Sequence, residues 1–390
     1  MNADGTTPTT SAGITDWLQD EARRIVGVGA LIDAFAERLR FNGIPLVRMT
    51  LSVQTLHPQM LVAARQWTLE DGGRDIAVPY GIDVTAQYLD SPIRTIFEGG
   101  AMVRRRLRDP DVALDYSILP ELKDQGVTDY LVLPVAFSDG RPNAMTFATR
   151  APEGFGEDQV AAMSAAVPVL APLLEIQSLR RISRTVLETY LGATTGPKVL
   201  EGTIRRGDAE MIDAVLWFCD LRGFTMLSEG HPPEEVIGLL NSYFEAVCGA
   251  LEAHGGEVLK FIGDAVLAIF PLPDGADVAR VCGRAAAASR DALAAVADID
   301  DPRIRFGIAL HLGQVAYGNI GAPDRLDFTV IGPPVNKVTR IEGLCGGLGK
   351  TLLASSDFAA ASGLSMHTVG TYALKGIAGD ETVYSLPDID

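Results

Sequence analysis

Three observations predict a two-domain protein of α+β class. The 390 residues exceed the roughly 100–200 of one domain. Short apolar runs alternate with runs of helical period in both halves, and strand pairs close through glycine-bearing turns at 138–142 and 263–264. A long helical stretch over 157–191 stops at Gly192 and separates the halves. With 47% hydrophobic and 21% charged residues, the composition is globular.

The net charge is −17, with −6 carried up to residue 190 and −11 after it. A field of that sign repels polyanions, which excludes a non-specific partner among nucleic acids or anionic membranes. Any phosphorylated ligand then needs a local cationic site or a metal. The four cysteines (Cys219, Cys248, Cys282, Cys345) and five histidines are scattered without ligand spacing, so the thiols read as small buried hydrophobes. Residues 1–13 lack a basic segment followed by an apolar core, and the apolar stretch 165–174 carries two prolines and is too short for a bilayer span of about 20 residues. These features predict a soluble, cytoplasmic chain with no membrane span.

In order along the first half, 1–15 reads as a disordered tail. Residues 16–40 read as a helix with Leu31, Ile32 and Phe35 at helical spacing, and 46–53 and 59–68 as strands. His57 beside Thr55 could line a pocket or serve structure. The run Arg104, Arg105, Arg106, Arg108 could meet an acidic partner or form a solvated helix face. Residues 130–137 and 144–149 form a hairpin, followed by the helix over 157–191. A hairpin followed by a long closing helix resembles GAF-type sensory domains in element order. That resemblance implies an α/β GAF-like regulatory domain over 16–172, responding to an unknown small-molecule or protein regulator. Over 173–200, Leu173, Leu179, Ile182 and Val186 form an apolar seam. It reads as packing on its own domain, or as a parallel dimerisation helix carrying a signal onward.

The second half, 201–390, reads as strand 211–219, helix 233–252, hairpin 257–262 with 265–270, and helix 276–297. Strands follow at 304–310, 314–319 and 327–331, then a helix over 334–345. That order predicts helices over one face of an antiparallel sheet. Asp220 and Asp264 each end a strand beside a glycine-containing turn, a placement suited to a hard divalent cation; singly, each is equally a capping aspartate.

The segments FCDLRGFT (218–225), KFIGDAVLAIF (260–270), RFGIALHLGQVAYGNIG (305–321), FTVIGPPVNKVTR (328–340) and TYALKGI (371–377) resemble, in this order, the catalytic domain of class III nucleotidyl cyclases. The resemblance implies a ferredoxin-like fold over 201–390 that works as a homodimer with ATP between protomers. By position, Asp220 and Asp264, with the Leu221 carbonyl, would hold two divalent cations, Mg2+ or Mn2+. Lys260 and Thr329 would read the base. Asn336 would orient the ribose and Arg340 would stabilise charge on the α-phosphate. Arg305 and Lys375 would hold the outer phosphates. Asp220, Asp264 and Arg305 would come from one protomer and the remaining side chains from the other. A lysine only donates hydrogen bonds, which suits an adenine ring nitrogen. Thr329 stands where relatives use aspartate and rejects guanine less firmly. The expectation is therefore an adenylate cyclase producing cyclic AMP and pyrophosphate. A guanylate or mixed-specificity cyclase, and a silent nucleotide-sensing scaffold, are the alternatives. Pro333 and Pro334 replace a loop that is often polar, a change compatible with a helix start.

Overall fold

The computed structural model describes residues 11–55 and 60–389, and the chain divides into two compact units, Met1–Val186 and Leu187–Asp390. His57 and the first residue of the expected strand 59–68 lie outside the described residues.

The first unit runs α1 (Ser11–Gln19), α2 (Val28–Phe41), β1 (Leu46–Gln54), β2 (Met60–Thr68), β3 (Gly72–Pro79), α3 (Ala86–Leu89), α4 (Pro92–Phe97), β4 (Val103–Arg105), α5 (Ile118–Asp124), β5 (Asp129–Ala136), β6 (Pro142–Thr149) and α6 (Glu157–Leu191). Two expectations are corrected at the start. Residues 11–15 are helical, because Ile14, Trp17 and Leu18 of α1 are buried in the core. The single helix over 16–40 is two helices, interrupted where the backbone is extended at Ile25.

The six strands lie in the order β3-β2-β1-β6-β5-β4, each antiparallel to its neighbours. Side chains alternate across a strand. Met49, Leu51, Leu131, Met145 and Phe147 therefore enter one core with α2 and α6. Tyr130, Val132, Ala144 and Ala148 enter another with Ile96, Leu119 and Leu122. Strand β3 escaped the sequence reading because an edge strand, half exposed, has no apolar alternation to show.

The arginine run is neither helical nor free. Val103–Arg105 is the edge strand β4, and its arginines are absorbed internally. The Arg104 guanidinium donates to fully buried Asp129 (2.8 Å), to the Phe155 carbonyl (2.5 Å) and to Glu157 (2.8 Å). Arg105 pairs with Asp115 at 2.5 Å and Arg108 with Glu153 at 2.6 Å.

The second unit continues with α7 (Thr195–Leu200), β7 (Ala209–Leu221), α8 (Phe224–Gly230), α9 (Pro233–Ala253), β8 (Glu257–Ile262), β9 (Ala265–Leu272), α10 (Val278–Ala297), β10 (Phe306–Ala322), β11 (Arg325–Ile331), α11 (Pro333–Leu348), β12 (Leu352–Ala354), α12 (Ser356–Ser362), β13 (His367–Ala373) and β14 (Asp380–Ser385). Its sheet has the order β13-β14-β12-β10-β7-β9-β8, with β11 paired to β10. Only β12 runs parallel to its neighbour β10. The two strands expected over 304–319 are one, because the 311–313 segment keeps register with Leu216–Ala214 of β7. Helices cover both faces of this sheet, and not one as expected. Val215, Trp217 and Cys219 pack against α9 and α10, whereas Ala214, Leu216 and Phe218 pack against Val338, Ile341 and Cys345 of α11.

By length and composition, α6 and α9 are long and apolar enough to cross a membrane, contrary to the estimate made from 165–174 alone. Both bury apolar residues in the cores, Val167, Leu170 and Leu174 from α6 and Leu239, Tyr243 and Val247 from α9. Further along α6, Leu179 and Val186 are exposed.

Candidate active site

The two strand-end carboxylates meet. Asp220 is the penultimate residue of β7, opposite Gly307 of β10. The next residue inward, Cys219, pairs with Val266 of β9, and the β8–β9 turn carries Asp264. Gly263, in the left-handed region at φ 66°, lets that turn close tightly. The two carboxyls lie close enough to act on each other's protonation. Burial, then the negative charge of Asp264, pushes Asp220 up to about 6, while a bond from the Leu221 backbone works the other way.

A third acid was missed by the sequence reading. Glu342 of α11 is pushed up to about 7, by burial first and then by the charge of Asp220, with Arg222 opposing. It comes this close because β10 has glycine at position 307. A Cβ there would sit 2.5 Å from Glu342 Oε1 and 2.9 Å from Cys345 Cβ. Among the described residues no three His, Cys, Asp or Glu side chains form a metal cage, and Glu342 feels Asp220 through charge. Arg222 donates from Nη2 to the Lys350 carbonyl, and its buried Nε–H has no partner among the described residues. Glu342 follows Arg340 by two positions, and no pattern of spacing marked it.

Arg305 belongs to the same end of the sheet, since its carbonyl accepts from the Arg222 N–H at 2.7 Å. Its side chain is exposed and lines a cleft of about 490 Å³ with Arg222 and Thr351.

Lys260 and Thr329 lie on β8 and β11. The Lys260 ammonium is bound to Asp327, an acid the sequence reading did not weigh. Asp327 and Thr329 are two residues apart on a strand and so share a face, which places Lys260 on the side of β11 that carries Thr329. Thr329 is buried, and its hydroxyl has no hydrogen-bond partner among the described residues. A buried, unpaired hydroxyl is unfavourable by about 1–3 kcal/mol, so this position is poised to accept a ligand group.

Asn336 and Arg340 are exposed on one face of α11, four residues apart. Asn336 shares a cleft of about 620 Å³ with the 376–378 loop that follows Lys375, itself exposed. The base of α11 is pinned by Lys337, whose ammonium contacts Asp357 at 2.8 Å and Glu381 at 2.9 Å. The chain thus gathers Asp220, Leu221, Asp264 and Arg305 at one sheet end and Lys260 and Thr329 at β8–β11, while Asn336 lines a different cleft from that of Arg305.

Under Lys337 lies His311, buried and hydrogen-bonded to Ser355 Oγ at 2.8 Å. Burial first, then the Lys337 charge, lowers it from 6.5 to about 4, with Asp357 and Glu381 opposing. The folded chain therefore keeps this ring neutral where the unfolded chain protonates it. Stability from this group is complete above pH 6.5 and is lost as pH falls toward 4. The gap corresponds to about 3 kcal/mol. The fall in urea-unfolding free energy from pH 7 to pH 4 should be larger in wild type than in His311→Gln by about that amount, and equal falls would refute it.

Part of the chain resembles known proteins. Residues 208–387 match the family described as the adenylate and guanylate cyclase catalytic domain. An uncharacterized protein of Mycobacterium tuberculosis is 39% identical over 144 residues, covering 37% of this chain and 26% of that protein. An adenylate cyclase of Anabaena cylindrica is 32% identical over 214 residues, covering 51% of this chain and 41% of that one. The chain thus spans less than half the length of either relative. A bacterial light-regulated adenylyl cyclase structure aligns with a TM-score of 0.50 and 21% identity, covering 66% of this chain and 86% of that one, a likeness of fold. With the sheet, the paired strand-end carboxylates and the family match in agreement, residues 208–387 are a class III adenylate and guanylate cyclase catalytic domain.

Proposed function

We propose that the chain is an adenylate cyclase, converting ATP to 3′,5′-cyclic AMP and pyrophosphate as a cytoplasmic homodimer regulated by its first unit. The observation that carries the reading is the forced apposition of Asp220 and Asp264, with Asp220 raised to about 6. Two carboxylates held together and partly desolvated favour a bound cation, so the donor set fits hard divalent ions such as Mg2+ or Mn2+. When bound, two such ions supply the positive charge that acidifies the ribose 3′-hydroxyl and neutralises the leaving pyrophosphate.

The chain's own groups do the rest. Asp220, Asp264 and the Leu221 carbonyl hold the ions. Lys260, released from Asp327, donates to an adenine ring nitrogen, while the unpartnered Thr329 hydroxyl pairs with the neighbouring base edge. Asn336 orients the ribose and Arg340 stabilises the charge growing on the α-phosphate. Arg305 and Lys375 hold the β- and γ-phosphates against the chain's overall negative field. The 3′-oxygen bonds to the α-phosphorus, the bond to the β-phosphate bridge breaks, and the hydroxyl proton passes to solvent.

The separation of Arg305 from Asn336 in different clefts supports a site completed by a second copy. The exposed Leu179 and Val186 of α6 provide a seam for it. Thr329, which both donates and accepts, fits adenine but rejects guanine less firmly, which leaves guanylate or mixed specificity as the second reading. Rates with ATP and GTP under Mg2+ and Mn2+ test both. The expected result is a higher kcat/KM for ATP, with Lys260→Ala narrowing the preference by about tenfold, the value of one or two lost hydrogen bonds. A higher kcat/KM for GTP overturns the adenine assignment, and no turnover of either nucleotide overturns the enzyme.

A further inference from the structure

We propose that the first unit binds a small monocarboxylate with an apolar body, in a cavity between the sheet and the α4–α5 segment, with Arg48 as the carboxylate anchor. Strand β1 alternates two chemistries. Met49, Leu51 and Val53 enter the core with α2 and α6. The other side of the strand presents Arg48, Thr50 and Ser52. Thr146 of β6 stands opposite Thr50, and Tyr130 of β5 stands opposite Ala148, which in turn faces Arg48. The middle of a covered sheet face thus carries a guanidinium and hydroxyls where aliphatic side chains would complete the core.

That substitution leaves a cavity of about 330 Å³. Ser52, Thr146 and Tyr130 are buried in it, and the Tyr130 hydroxyl is hydrogen-bonded with Thr146. Val62, Val78, Ile93 and Phe97 give it an apolar side, and Tyr88, Ser91 and Ser117 are also on its wall.

Charge decides the ligand class. Two other sheet arginines of this unit are neutralised, Arg65 by Asp33 and Arg104 by Asp129, and Arg74, in the adjoining cleft, is held by the Gln66 amide oxygen. Arg48 has no ion pair among the described residues. Glu121, the one carboxylate lining the cavity among the described residues, is exposed and accepts from the Gln125 amide at 3.0 Å. Glu70, in the adjoining cleft, is held by Arg150. The nearby α4 N-terminus is closed by its own Ser91, which accepts from the Arg94 N–H at 3.2 Å. One unpaired guanidinium with neutral hydroxyls matches a single negative charge, and its planar fork matches a carboxylate. A phosphomonoester, with nearly two charges, would need a second cation that this cavity does not hold. At about 30 Å³ per water of liquid, 330 Å³ is room for roughly ten non-hydrogen atoms.

The test uses the full chain and three acid–amide pairs: phenylacetate with phenylacetamide, indole-3-acetate with its amide, and hexanoate with its amide. Isothermal titration should show at least one acid binding ten times or more tightly than its amide. Arg48→Gln should abolish that difference while leaving the melting temperature without ligand within a few degrees. Should Arg48→Gln fail to fold, the acid–amide comparison on wild type still decides. A cavity-filling Val62→Trp should remove binding with Arg48 intact. Equal binding of acid and amide, binding unchanged by Arg48→Gln, or no binding by any of the three acids overturns the proposal. Because the readout is binding to the first unit, its failure is separable from any failure of cyclase activity.

Discussion

An equimolar mixture of an Asp220→Ala chain and an Arg340→Ala chain, co-expressed so that they pair freely, is expected to recover about one quarter of wild-type turnover per chain, since about half the dimers are mixed and each holds one intact site of two. Each variant alone should fall by at least about a hundredfold, the usual effect of removing one transition-state charge partner, with the metal carboxylate costing more. The reasoning follows from the two sets of residues. Asp220 stands with Asp264 and Arg305 at the end of β7, whereas Arg340 projects from the exposed face of α11 with Asn336. If the second set serves a partner's carboxylates, a mixed dimer has one site with both defects and one with neither. Initial rates of cyclic AMP formation, with differently tagged chains to prove that mixed dimers form, check the result. Mixed dimers at background activity would sink the shared site.

The second large effect concerns stability. Arg104→Ala should destabilise the first unit by about 3–5 kcal/mol, because it strands a carboxylate in the interior. Asp129 is fully buried, and besides the Arg104 guanidinium it is left with the Phe155 N–H at 3.0 Å. The guanidinium also closes the Phe155 carbonyl at 2.5 Å, which would lose its donor. Replacing Asp129 by Asn in the same chain should return part of the loss, since no uncompensated charge then remains. Denaturant unfolding of wild type, Arg104→Ala and the double variant makes the comparison. A single variant within about 1 kcal/mol of wild type would show that water or relaxation solvates Asp129 as well as the arginine does. Arg108, whose partner Glu153 is highly exposed, is the internal contrast and should cost little on truncation.

These two arginines show where the sequence stops speaking. A run of four arginines within five residues looks alike at every position, and the ordinary reading is a solvated face. Only the pairing of β4 with β5 turns Arg104 inward over Asp129 while leaving Arg108 at the surface. Glu342 and Asp327 were invisible for the same reason. Each acquires meaning from a neighbour distant in sequence, Asp220 for one and Lys260 for the other, brought close by a helix crossing a glycine and by a strand pairing. The cover on both faces of the second sheet was likewise illegible. The apolar stripe of α11 looks the same whichever face it covers, and the alternation along β7 decides the side.

By itself the sequence determined the elements and the chemistry. Apolar periodicity marked most strands and helices, because burial acts on local pattern, and residues of special chemistry at strand ends named the candidate site. The tertiary structure alone decided which of those groups meet: Asp220 with Asp264, Lys260 with Asp327, and Arg48 with no ion pair among the described residues. Charge and desolvation depend on distance and cover, which pairing register and packing determine and local sequence does not encode.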